Sequence, residues 1–175
     1  MLEKVIFSEE ECNSIIALAD KFQFPKFRWG DYWDMSNPIL DEFLVQPECS
    51  VFLNQDQRKY FLEKFKPFKL KSFPKRIKIL KYTEGIGMKM HIDNRGTDGK
   101  LKSICVQLSP SINYEGGNLG FLLNNKIVEA SREVGNSIMF PCSVRHRISP
   151  VTTGVRYSVV IWLREENLLP ADTLL

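Results

Sequence analysis

The chain has 175 residues, a length that fits one domain able to bury a substantial core. Its 43% hydrophobic and 26% charged content is that of a globular protein, and a net charge of +3 is too small by itself to argue for nucleic acid. Four scattered cysteines (Cys12, Cys49, Cys105, Cys142) form no CxxC pair, which excludes a zinc ribbon or a disulfide framework and predicts reduced thiols in a cytoplasmic setting. Met1-Leu-Glu-Lys lacks the basic start and apolar run of a signal peptide, and no stretch approaches the roughly 20 apolar residues of a membrane span.

Ser8-Glu-Glu-Glu11 has the form of a capping box, and Ile15, Ile16, Leu18, Ala19 and Phe22 follow at helical spacing, so a helix is expected over about 8–22. Phe24 to Pro38 is aromatic and irregular, with Trp29 and Trp33. It reads first as a loop closing one side of the core and second as a substrate wall. A second helix is expected over about 55–66, with Tyr60, Phe61 and Phe65 inward. From Lys59 to Lys81 there are nine Lys or Arg residues and one acid, Glu63. Such a run is usually a solvated face, and otherwise steers an acidic partner. After Pro74 the texture turns to short β-rich runs. Strands are expected near 76–83, 88–93, 101–108, 119–123, 126–131, 137–140, 145–149 and 155–163, with a hairpin turn at Asn124-Asn125. Strands at this spacing with no intervening helix indicate a sandwich or barrel. No linker is visible. The expectation is a single domain over 1–175: a helical and irregular support region at about 1–75 and a β-core at about 76–165.

Met88-Lys-Met-His-Ile-Asp93 carries the chemistry. Side chains alternate faces along a strand, so His91 and Asp93 share one. The chain's other histidine, His146, opens a later strand, and two His with one carboxylate suit a non-haem Fe(II) centre used for oxygen chemistry. Ten residues beyond His146, Arg156 opens Arg156-Tyr-Ser158, and alternation turns Arg156 and Ser158 to one face. A buried guanidinium needs an anion and fits a carboxylate in two-point fashion, so a dicarboxylic co-substrate is expected. Gly116-Gly117 reads as a tight turn. Asp93 to Lys100 reads either as a lid over the site or as an ordinary connection.

Several motifs in order carry a family resemblance. They are Tyr82-x-x-Gly85-x-x-Met88-x-x-His91-x-Asp93-Asn94, Leu108-Ser109, Tyr114-Glu-Gly-Gly117-x-Leu119-x-Phe121 and Gly135-x4-Phe140-Pro141-x4-His146-x-Ile148-x-Pro150-Val-Thr-x-Gly154-x-Arg156-Tyr-Ser158, closing at Trp162. Over about 76–163 the chain resembles the 2-oxoglutarate and Fe(II)-dependent oxygenases of the prolyl 4-hydroxylase-like branch. The resemblance implies a mainly β fold with flanking helices (α+β), built on a double-stranded β-helix or jelly-roll core. It implies that His91, Asp93 and His146 bind iron. It further implies that Arg156 holds the distal carboxylate of 2-oxoglutarate, with Tyr82 and Ser158 as further contacts. Asn94 reads as a support for the metal ligands or as a turn residue. Asn118 and Cys142 depart from the residues common at those positions, and neither belongs to the metal set.

The activity implied is a dioxygenase that uses Fe(II), 2-oxoglutarate and O2, with ascorbate as reductant. It hydroxylates an unactivated C–H and releases succinate and CO2. The substrate is expected to be a prolyl or other side chain of a protein or peptide, or else a small molecule. Nucleic-acid demethylation is not expected, because that branch carries a second arginine where Trp162 stands. A non-catalytic jelly-roll module would have lost part of the set, and here all of it is retained. No membrane partner is expected, and the sequence does not indicate an oligomeric state.

Overall fold

In the computed structural model of the chain, residues 1–21, 32–34, 48–93 and 99–170 are described. The stretch 24–38 therefore lies outside them except for Tyr32–Asp34, and so does the 94–98 part of the expected lid. Strand β1 (Leu2–Val5) leads into helix α1 (Glu9–Ala19), which starts with the expected capping box: the Glu11 N–H donates to Ser8 Oγ at 3.2 Å and the Ser8 N–H donates to the Glu11 carboxylate at 2.9 Å. Strands β2 (Tyr32–Asp34) and β3 (Glu48–Phe52) precede α2 (Gln55–Lys64), which repeats the device with Asn54 and Gln57. Ten strands follow. They are β4 (Arg76–Tyr82), β5 (Ile86–His91), β6 (Lys102–Gln107), β7 (Tyr114–Gly116), β8 (Leu119–Leu123), β9 (Lys126–Glu129), β10 (Asn136–Pro141), β11 (His146–Ile148), β12 (Val151–Gly154) and β13 (Arg156–Leu163). The eight strands expected from the pattern correspond to β4, β5, β6, β8, β9, β10, β11 and β13. The turn between β8 and β9 falls on Asn124 and Asn125, both at positive φ (48° and 61°).

A six-stranded sheet of order β1-β10-β6-β13-β4-β3 faces a five-stranded sheet of order β2-β5-β11-β8-β9, and every strand pair is antiparallel. The two faces of the larger sheet build two separate cores. On the outer face, Ile79, Ile104, Val159 and Ile161 pack with Phe65, Phe68 and Phe73 from α2 and the segment after it, and with Cys12 and Ala19 of α1. On the inner face, Leu80, Cys105 and Phe140 meet Met88, Leu119, Phe121 and Ile148 of the opposite sheet. The N-terminal segment closes onto the core where Ile6 N–H donates to the Gly135 carbonyl at 2.9 Å. Gly135 has φ 76°, and a Cβ there would sit 1.8 Å from the Phe7 carbonyl oxygen, so only glycine permits this approach.

The helix faces differ in detail from expectation. Cys12 rather than Leu18 fills the inner stripe of α1; Leu18 is 44% exposed and Cys12 fully buried. Tyr60 turns outward at 47% exposure, while Phe65 is fully buried. The Tyr60 hydroxyl donates to Glu11 at 2.7 Å and Lys64 pairs with the same carboxylate at 2.5 Å, so a polar clamp joins α2 to α1. The basic run is mostly solvated, as expected, with Lys59, Lys66, Lys69, Lys71, Lys75 and Arg76 exposed.

Candidate functional site

The space between the sheets holds a cavity of about 210 Å³, walled by Leu80, Met88, Leu119, Ile148 and Val160. The polar groups that enter it come from the expected positions. Pairing of β5 with β11 sets His146 directly across from His91. Asp93 lies just past the end of β5 rather than within it, which corrects the expectation of a strand running to 93. Its N–H donates to the Cys142 carbonyl at 2.9 Å, and this bond turns its carboxylate back toward the histidines. One ligand atom from each of His91, Asp93 and His146 lies within 4.8 Å of the others. The Asp93 Oδ1 to His91 Nε2 distance is 3.6 Å, and Asp93 Oδ2 to His146 Nε2 is 3.8 Å.

Both rings are oriented by backbone two residues upstream. His91 Nδ1 is 2.8 Å from the Lys89 carbonyl and His146 Nδ1 is 2.9 Å from the Val144 carbonyl. A carbonyl can only accept, so Nδ1 carries the proton and Nε2 keeps its lone pair toward the centre. Burial pushes His146 below its ordinary value, which keeps that ring neutral. Burial alone would raise the Asp93 carboxyl. The two imidazoles set beside it and the hydrogen bond donated by Ser103 outweigh it and hold the group well below the carboxylate range. Two imidazole nitrogens and one carboxylate on one side, with the cavity on the other, form a donor set that fits octahedral Fe(II) with open positions.

Ser103 was not legible as a site residue. It is fully buried on β6, its Oγ donates to Asp93 Oδ2 at 2.5 Å, and it lies 3.1 Å from Cys142 Sγ. In the strand text Lys-Ser-Ile-Cys it looks like any inward small residue. The one available signal is alternation, which puts it on the same side of β6 as Cys105 and Gln107.

Deeper in, β13 pairs Arg156 with Tyr82 of β4. Arg156 is 2% exposed, and its guanidinium carbon lies 5.4 Å from the Tyr82 ring centroid. One arm donates to Ser158 Oγ at 3.2 Å, while Nε is buried with no hydrogen-bond partner among the described residues. Among the described residues no carboxylate pairs with it, and burial pushes the neighbouring Cys105 thiol up, so that thiol offers no negative charge. An uncompensated buried guanidinium is costly, and a ligand carboxylate would satisfy it. Tyr82, Cys105 and Ser158 line the cavity, whereas Arg156 lies behind them against Gly117. Gly117 does more than turn the chain. At φ 61° it leaves space that a Cβ would take, 3.0 Å from Arg156 Cδ.

Comparison with known proteins agrees with this geometry. The profile of the 2OG-Fe(II) oxygenase superfamily matches residues 77–164. A PKHD-type hydroxylase of Paraburkholderia xenovorans is 33% identical over 103 residues, covering 54% of this chain and 44% of that protein. The chain thus spans less than half the length of such curated relatives. A Pseudomonas putida prolyl-4-hydroxylase superposes with a TM-score of 0.65 at 15% identity, covering 93% of this chain and 91% of that one. A prolyl hydroxylase from Trichoplax adhaerens, solved with a hypoxia inducible factor peptide fragment, gives 0.62 at 15%, covering 98% and 84%. At such identities the structural likeness establishes a common fold, the double-stranded β-helix that the motifs implied. The ordered motifs and the profile match together make this chain a member of the 2OG-Fe(II) oxygenase superfamily.

Proposed function

We propose that the protein is a 2-oxoglutarate- and Fe(II)-dependent dioxygenase that hydroxylates an unactivated C–H of a protein or peptide side chain, prolyl being the best single choice. The observation that carries this reading is one cavity bordered by a convergent His-Asp-His set and, behind its polar wall, a buried guanidinium with no counter-ion among the described residues. In this reading His91, Asp93 and His146 hold iron through two Nε2 atoms and a carboxylate oxygen. Arg156 takes the distal carboxylate of 2-oxoglutarate, with the Ser158 and Tyr82 hydroxyls beside it. Iron and the keto acid, when bound, supply the oxidising chemistry, which consumes O2, releases succinate and CO2 and hydroxylates the substrate. The chain's own part is to aim both imidazoles, to hold Asp93 ionised, and to keep the cavity walls apolar. The hydroxylase names of the curated relatives support the reaction class, and the neighbours named prolyl hydroxylases, one solved with a peptide fragment, support a peptide substrate. Four buried free cysteines fit a reducing, cytoplasmic location, and among the described residues no helix is long and apolar enough to cross a membrane.

The test is succinate formation from 2-oxoglutarate with Fe(II) and ascorbate. His91→Ala and His146→Ala each abolish it, and near-normal succinate from either variant refutes the ligand assignment.

A further inference from the structure

A second concavity, of about 440 Å³, opens beside the cavity and shares one residue with it, Trp162. Arg58, Lys75, Arg76 and Arg164 line it against one acid, Glu166. Its walls are tied down. Arg58 Nε donates to the Phe73 carbonyl at 2.9 Å, Ser72 Oγ to the Glu166 carbonyl at 2.8 Å, and Asn167 Nδ2 to Ser72 Oγ at 3.1 Å. At the shared wall, Lys100 Nζ lies 3.9 Å and Lys78 Nζ 4.8 Å from the Trp162 ring centroid, and both lysines also line the inner cavity. Trp162 Nε1 is buried with no hydrogen-bond partner among the described residues. Cations therefore run from the open cleft, past an indole donor, to the mouth of the metal-ligating set.

We propose, building on the oxygenase reading above, that this cleft binds an acidic segment of the peptide substrate and feeds the adjoining residue past Trp162 to the site. Carboxylates at successive positions meet Lys75, Arg76 and Arg58 in the cleft and Lys78 and Lys100 at the mouth. A nucleic-acid strand fits the surface less well. Strand binding uses aromatic faces as stacking platforms. Here Trp162 is already covered by two ammonium groups, and no other aromatic ring lines the cleft among the described residues.

The probe is a short fluorescein-labelled peptide of glutamates flanking a proline, compared with its glutamine counterpart and with labelled oligothymidylate. Binding is read by fluorescence anisotropy, which needs no turnover. The glutamate peptide should bind at least about tenfold more tightly than the glutamine peptide, and its affinity should fall as salt is raised. The exposed pair Lys75→Gln/Arg76→Gln should erase most of that preference while leaving peptide-independent succinate formation unchanged. Equal binding of the two peptides, a preference retained in the double variant or insensitive to salt, or tighter binding of oligothymidylate would each overturn the assignment. Succinate formation reads the oxygenase chemistry separately, so loss of one result does not entail loss of the other.

Discussion

The two faces of β13 are made from one eight-residue run and have opposite characters. Tyr157, Val159, Ile161 and Leu163 point outward and are sealed under the helices. Arg156, Ser158, Val160 and Trp162 point inward, and two of them are polar groups buried without full compensation. The outer face follows the rule of burying apolar surface, worth about 25 cal/mol per Å². The inner face breaks that rule at Arg156, at the level where a ligand carboxylate would enter. One face thus stabilises the sheet, and in the proposed reading the other gives up stability for recognition.

Substitutions on each side should separate these roles. Phe65→Ala on the outer side removes a fully buried ring and should cost about 3–5 kcal/mol in thermal or denaturant unfolding. Below its melting temperature the variant should bind metal as the parent does. Arg156→Met on the inner side should do the reverse. Removing an uncompensated buried charge leaves the melting temperature unchanged or raised. Affinity for 2-oxoglutarate should fall by about 2–5 kcal/mol, read as a rise in its KM for succinate formation. Ser103→Ala frees Asp93 Oδ2 and should weaken metal binding about 10–100-fold, measured by Co(II) titration followed by absorbance, with Ser103→Thr restoring it.

The smallest effect lies at the clamp between the helices. Hydrogen bonds from Lys64, the Ser8 backbone and Tyr60 lower the Glu11 carboxyl from 4.5 to about 2. A carboxyl lowered by folding contributes stability that is present above its unfolded value and lost as pH falls through the folded one. The parent should therefore lose stability between about pH 4.5 and about pH 2, and Glu11→Gln should flatten that part of the curve. If Glu11→Gln also raises the KM for 2-oxoglutarate, the two faces are not independent.

The inner face was legible because its chemistry rides on a period of two: Arg156 and Ser158, and the histidine opening β11, stand where alternation puts them. What escaped the pattern was held by pairing instead. Strand β1 reads Leu-Glu-Lys-Val with one half-buried and three exposed side chains, so no alternation announces it; β10 supplies its register. Strands β7 and β12 are three and four residues long and exist by pairing with each other. Tyr60 sits at inward helical spacing, yet the Glu11 carboxylate holds its hydroxyl at the surface. Ser103 and Asp93 are ten residues apart in the chain, and no local rule links a small strand residue to a carboxylate beyond the next loop.

Each imidazole takes its aim from a carbonyl two positions earlier in its own segment. The grip is therefore set by the backbone before any ion arrives. If the set holds iron as proposed, loss of the metal would leave both rings aimed, and reloading would need no rearrangement of the backbone around them. The same preset donor set would also admit cobalt or nickel.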